Sequence, residues 1–262
     1  MSKTRKFFWR VFILLLILVA VAAIVVMINL GRIIKSGVEV YGPKITKVAV
    51  TVDTVDIGLL TASAEVKNLV VGNPSGYKTP QAISVGDISV GVNPSTVLSD
   101  KIVVRSINIQ YPEITFEGSL GGNNLSTILA NVDNKGAAIG TVKMGTNTVS
   151  QATPASQPAP SRKLEVDDLV ITGAKVNGSL SLFGREVTLN NIPIPDIHLS
   201  NLGTGPDGIT PAALTSQILH SITTATLTAV TTQATKLGGT ATDLGTKGAS
   251  GVKKALGNLF GK

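Results

Sequence analysis

Cysteine is absent from this 262-residue chain, and histidine is scarce, with only His198 and His220. Without thiols there is no disulfide framework and no thiolate chemistry. Neither histidine has a second one at ligand spacing, so no metal site is expected. Aromatic residues amount to 4%, which removes the stacking platforms of single-strand nucleic-acid binders. No glycine-rich loop runs into Lys-Ser or Lys-Thr, so no phosphate cradle is visible. No serine sits in a nucleophile-elbow pattern. Asp167-Asp168 is a carboxylate pair, but adjacent strand residues point to opposite faces, which does not suit a paired acid and base. These absences argue against an enzyme and against a cofactor.

The net charge of +7 has to be located before it is read as a nucleic-acid signal. Lys3, Arg5, Lys6 and Arg10 lie at one end, and Lys236, Lys247, Lys253, Lys254 and Lys262 crowd the other against Asp243 alone. Each end is strongly basic and the body between them is about neutral. Such a body lacks the footprint of a nucleic-acid binder, and no nucleic-acid partner is expected. Membranes account better for basic ends.

What is present is one long apolar run. Val11 to Ile28, "VFILLLILVAVAAIVVMI", has no charge and no proline, and 14 of its 18 residues are Leu, Ile, Val or Phe. As a helix it is roughly 27 Å long, close to the ~30 Å of a hydrocarbon core. Its insertion is favoured by about 4–8 kcal/mol. Trp9 and Arg10 before the run and Arg32 after it fall at the expected membrane interface. The upstream cations outnumber Arg32 and Lys35 just downstream, which places the N-terminus in the cytoplasm and the body across the membrane. The run exceeds the apolar core of a cleaved signal peptide, about 7–15 residues, so an uncleaved single-pass anchor is expected.

A helical continuation is expected to break at Gly42-Pro43. Beyond it, apolar residues alternate as in half-buried strands, but with a recurring step of three: Val52 to Val55, Val66 to Leu69, Val85 to Ile88, Val104 to Ile107 and Val166 to Leu169. The inserted pair is polar each time, or contains glycine. A step of three is met either by a β-bulge, which keeps the buried face, or by a common sheet corner. Both imply a strongly coiled sheet. Turns are expected at Gly58-Leu59, "GNPSGYKTPQ", "NPSTVLSDK" and Tyr111-Pro112, and Asn177-Gly178 reads as a hairpin turn. From Pro211, Leu214, Ile218, Ile222, Ala225, Ala229 and Val230 form one stripe of a helix that ends at Gly238-Gly239. In the tail, Val252, Leu256, Leu259 and Phe260 oppose Lys253 and Lys254, which suits an anionic membrane surface.

The expected fold is mainly β: a transmembrane helix, then a strongly coiled antiparallel sheet forming a groove or half-barrel, with a C-terminal amphipathic helix. The chain divides into an anchor with its continuation (1–42), a β-module with a short helix capped by Asn123 or Asn124 (43–132), a flexible linker rich in Gly, Ala, Ser and Pro (133–162), a second strand set (163–208), and the helix with its basic tail (209–262).

The order of apolar helix, "VAVTVDTVDIGLL", "LVVGNPSGY" and "ISVGDISVGVNPSTVLSDKIVVRSINIQYPEITFEGSLGGNNLSTIL" resembles the AsmA family of envelope proteins. "LEVDDLVITGAKVNG" and "IPDIHLSNLG" resemble that family's returning strands. The resemblance implies a bacterial inner-membrane protein with a periplasmic body, and kinship with larger groove-forming proteins linked to outer-membrane biogenesis and phospholipid movement. Membrane phospholipid and envelope proteins are then the expected partners. Val50, Val66, Val85, Val90, Val104 and Ile109 are the candidate groove-lining residues, because they alternate within the best-formed strands. Large family members have many more strands. About nine strands at ~4.8 Å would make a sheet roughly 40 Å long, short for an envelope-spanning bridge. The alternative reading is an anchored adaptor whose groove is filled by its own C-terminal helix and holds no lipid.

Overall fold

The computed structural model describes residues 3–140, 162–182 and 185–238. Helix α1, Lys3–Thr46, contains the apolar run and passes straight through Gly42-Pro43. The expected break is absent. The Thr46 hydroxyl donates to Gly42 O and the Lys47 amide to Pro43 O, so the last turn closes C-terminal to the proline. Among the described residues no helix is long and apolar enough to cross a membrane. The described residues therefore do not show the expected span; the side chains of residue 20 and residues 22–28 are not among those described.

Among the described residues eleven strands form one sheet. They are β1 (Val50–Thr51), β2 (Thr54–Gly58), β3 (Ser63–Gly72), β4 (Gln81–Val92), β5 (Lys101–Gln110), β6 (Glu113–Ser119), β7 (Gly122–Asn123), β8 (Lys163–Thr172), β9 (Lys175–Leu182), β10 (Arg185–Pro193) and β11 (Ile197–Leu202). Helix α2, Asn124–Gly140, follows β7, and α3, Pro211–Gly238, follows β11.

Register joins several of these strands into longer kinked ribbons. β5 and β6 face β4 with the same register on both sides of Tyr111-Pro112, Ile109 opposite Ile88 and Ile114 opposite Ile83. They are one ribbon bent at Tyr111-Pro112, where Tyr111 takes a φ of 50°. β8 and β9 run alongside in the same manner, Ile171 beside Ile109 and Val176 beside Ile114, bent at Gly173-Ala174. β11 pairs with β8 and β10 with β9 to complete the edge. The bends stay hydrogen-bonded to one another: the Tyr111 amide donates to Thr172 O, Lys175 to Pro112 O, and Ile194 to Ala174 O. The sheet curls into a half-barrel because every ribbon folds along this line.

Four expectations change here. The sheet is mixed, since β5–β8 and β6–β9 are parallel. A parallel pair needs a long crossover, and the stretch from α2 to β8 supplies it. Tyr111-Pro112 is a kink within a ribbon and not a hairpin turn. Because strand segments lie end to end, the sheet is narrower than nine separate strands would make it, roughly 25 Å at ~4.8 Å per ribbon. Asn177-Gly178 is likewise no turn but lies inside β9. A Cβ on Gly178 would sit 2.1 Å from Phe116 O, and its φ is +124°, so glycine serves close strand approach.

The steps of three resolve into two kinds. Register is unbroken across Asp53, Asn68 and Gly86, with Val50 opposite Val71, Val55 opposite Val66, and both Val66–Ile88 and Leu69–Val85 in line. Neighbouring strands bend together there as a corner, and Asn68 adopts a φ of 50°. A one-strand bulge occurs where β4 meets β5, between Gly91 and Val92, opposite Arg105-Ser106. Val52, Val55, Val85 and Ile88 are all buried.

α2 begins as expected: the Asn123 side chain accepts from the Ser126 amide at 2.9 Å and caps the helix. It runs on to Gly140, past the start of the expected linker. α3 begins at Pro211, with the Thr210 hydroxyl accepting from Ala213 N. Leu125, Ile128 and Val132 of α2 and Leu214, Leu219, Ile222, Leu227 and Val230 of α3 belong to one continuous core with the strands.

Candidate functional site

Four of the six expected groove residues, Val50, Val85, Val104 and Ile109, are buried. Val85, Val104 and Ile109 are 4%, 8% and 9% exposed and lie in the core shared with α2 and α3. Val66 and Val90 are half-buried against that core. Val50 is covered separately by α1, since a Cβ on Gly42 would sit 2.8 Å from Val50 Cβ. Of the expected interface residues, Trp9 and Arg32 are exposed on α1. Lys253, Lys254 and Phe260 lie outside the described residues, as does the side chain of Arg10.

The chain's own helices cover part of the sheet: α2 packs on β6 and β7. α3 packs on α2 and on β9, β10 and β11. Its buried face is broader than the apolar stripe and includes Thr223 and Thr226. The Thr226 hydroxyl is buried and has no hydrogen-bond partner among the described residues.

The second locus is the seam between α1 and the first strands. Gly31, Lys35, Glu39 and Gly42 recur every three or four residues and so share one helix face. Each meets the strands in turn. A Cβ on Gly31 would lie 2.0 Å from Val55 O. The Lys35 ammonium donates to Asp53 O at 2.8 Å, the Val52 amide donates to Glu39 Oε1 at 3.3 Å, and Gly42 meets Val50. Backbone groups at the β1–β2 break thereby gain partners from the helix. Beside this seam lies a cleft of about 540 Å³ between α1 and β2, with Arg32 and Lys35 on the helix wall and Asp53 and Asp56 on the strand wall.

The third locus explains "GNPSGYKTPQ". Glu117 of β6 is 5% exposed and accepts from the Lys78 amide, the Thr79 amide and hydroxyl, and Asn73 Nδ2. Asn124 donates to Asn73 Oδ1 and Thr115 O and accepts from the Glu117 amide. The Tyr77 hydroxyl meets Thr127 of α2, and Lys78 pairs with Glu186 of β10 at 2.8 Å. Burial pushes the Glu117 carboxyl up, but the Thr79 hydroxyl, the two amides and the Lys78 charge outweigh it and hold it below 4.5. Every partner is internal, so this network locks a loop.

His198 pairs with Asp168 across β11 and β8 on an exposed face. Among the described residues no three His, Asp or Glu side chains are placed to hold a metal ion. Residue patterns missed Glu117, whose burial follows from a partner loop remote in sequence, and Gly31, whose role appears only when α1 meets β2.

No curated protein and no solved structure matched the chain. The family model described as AsmA family matches residues 1–192. That match takes in α1, the locked loop, α2 and the strands up to β10, and the chain belongs to the AsmA family.

Proposed function

We propose that the chain is a single-pass inner-membrane protein with its body in the periplasm, and that it serves envelope assembly as an anchored structural or adaptor element. The observation carrying this reading is that α2 and α3 share one core with Val85, Val104 and Ile109. An acyl chain has no room there while the helices are in place. The anchor is supported by the bare apolar surface of α1: Trp9, Val11 to Val19 and Val21 are all exposed. A contiguous apolar surface of that extent is not left to water. Family membership supports an envelope setting. A reporter enzyme that works only outside the cytoplasm, fused after Lys262, should be active. Activity only when the reporter is fused at the N-terminus would reverse the topology.

One observation favours lipid handling as a second reading. A helix with an unsatisfied hydroxyl in the core is held less firmly than an apolar one, since such a group costs about 1–3 kcal/mol. Displacing α3 would open the sheet's inner face to acyl chains. Thr226→Val should then raise stability by about 1–2 kcal/mol in chemical denaturation and lower phospholipid co-purification. Unchanged or reduced stability would remove the argument for a loosely held helix.

A further inference from the structure

The cleft between α1 and β2 is dipolar. Its helix wall carries two cations and its strand wall two carboxylates. Their free capacity is uneven. The Lys35 ammonium is engaged by Asp53 O and faces Glu39 at 3.9 Å, and Asp53 accepts from Asn68 Nδ2. Among the described residues, Arg32 has a single long bond, to Asn29 Oδ1 at 3.5 Å, and Asp56 has no side-chain partner. The groups available to a ligand are thus a guanidinium fork on one wall and a carboxylate on the other.

A guanidinium fork matches phosphate oxygens, and a carboxylate accepts from an ammonium. A ligand that offers both, a phosphodiester followed by a primary ammonium, is a phosphoethanolamine. A trimethylammonium group has no N–H to donate and is recognised by aromatic cages; the cleft lining contains no aromatic residue. An uncharged glycerol head would leave the carboxylate wall facing an anion. The cleft also sits at the right depth. Gly31 is three residues beyond the apolar run, about 4.5 Å along the helix axis.

We propose that this cleft holds the phosphoethanolamine head of a phospholipid, with Arg32 on the phosphate and Asp56 on the ammonium. The proposal rests on the reading that the apolar part of α1 crosses the membrane. The test uses the full chain, exchanged in turn into phosphatidylethanolamine, phosphatidylcholine and phosphatidylglycerol, with retained lipid counted by native mass spectrometry. Phosphatidylethanolamine should be retained over the other two by on the order of tenfold, the effect of one charge-assisted contact. Asp56→Asn should erase that preference, and Arg32→Gln should lower retention of all three. Both side chains are exposed, so folding is not at stake, and circular dichroism checks it. Carbonate-resistant membrane association separates the two claims. If the wild type is released by carbonate, the anchor and this proposal both fail. If it stays inserted but retains the three lipids equally, the headgroup proposal alone is overturned. If free glycerophosphoethanolamine binds as tightly as the lipid, the ligand is a soluble metabolite and the lipid assignment is overturned.

Discussion

Replacing Glu117 with alanine is expected to cost about 3–5 kcal/mol of stability. The carboxylate satisfies the amides of Lys78 and Thr79, the Thr79 hydroxyl and the Asn73 amide group. Without it these donors face a cavity, and Asn124 loses the geometry that ties the loop to α2. Glu117→Gln should recover only part of the loss, because its amide group puts a donor among donors. The pH dependence has a definite sign. The folded carboxyl titrates below 4.5, its ordinary value, so the unfolded state takes up the proton first as pH falls. The contribution is complete above 4.5 and is lost as pH drops through the lower folded value. Urea titrations of wild type and Glu117→Gln across that window should show a steeper slope in the first than in the second, where Glu186 still titrates below its ordinary value. Equal slopes would mean that the carboxylate is not held by the loop.

Gly31→Leu should pry α1 from the sheet. A side chain there meets the backbone oxygen of Val55 at 2.0 Å, and backbone cannot swing aside as a side chain can. The overpacking cost is about 3 kcal/mol, and it should appear as lost amide protection in β1 and β2, with Val52 losing its Glu39 partner. Gly37 provides the control, since a Cβ there has nothing within 4 Å. Gly37→Ala should stabilise α1 by about 0.5–1 kcal/mol. If both substitutions behave alike, the seam is not a packed contact.

Periodicity made the local elements legible. The apolar run of α1, the alternation in β3 to β5, the Asn123 cap and Pro211 at the start of α3 all follow from signals within a few residues. Even the recurring polar pairs announced where the strands depart from straightness. Pairing over long distances was not legible. Whether Tyr111-Pro112 reverses the chain or only kinks it depends on whether β6 turns back on β5 or continues along β4, and the turn residues suit both. The parallel partnership of β5 with β8 is set by a crossover whose composition carries no pattern. Gly178 was misread because Asn-Gly favours a hairpin turn locally, while the close backbone of Phe116 decides the matter.

The same limit applies to the site. Alternation marks which valines share a face, but it does not distinguish a face covered by the chain's own helices from one that awaits a ligand. The expected apolar stripe of α3 contains no threonine, yet Thr223 and Thr226 are buried. The cleft beside Arg32 required α1 and β2 to be placed together before its two walls of opposite charge could be seen.

Because the chain has no cysteine of its own, single cysteines report cleanly on whether the half-barrel is filled. Val85→Cys and Val104→Cys place thiols on the inner face, and Ser89→Cys provides an exposed control on the same strand as Val85. In the membrane-inserted full chain, a small uncharged maleimide should modify the residue-89 thiol rapidly and leave those at 85 and 104 unmodified until denaturant is added. Rapid modification at 85 and 104 without denaturant would contradict the filled half-barrel and point to an open groove.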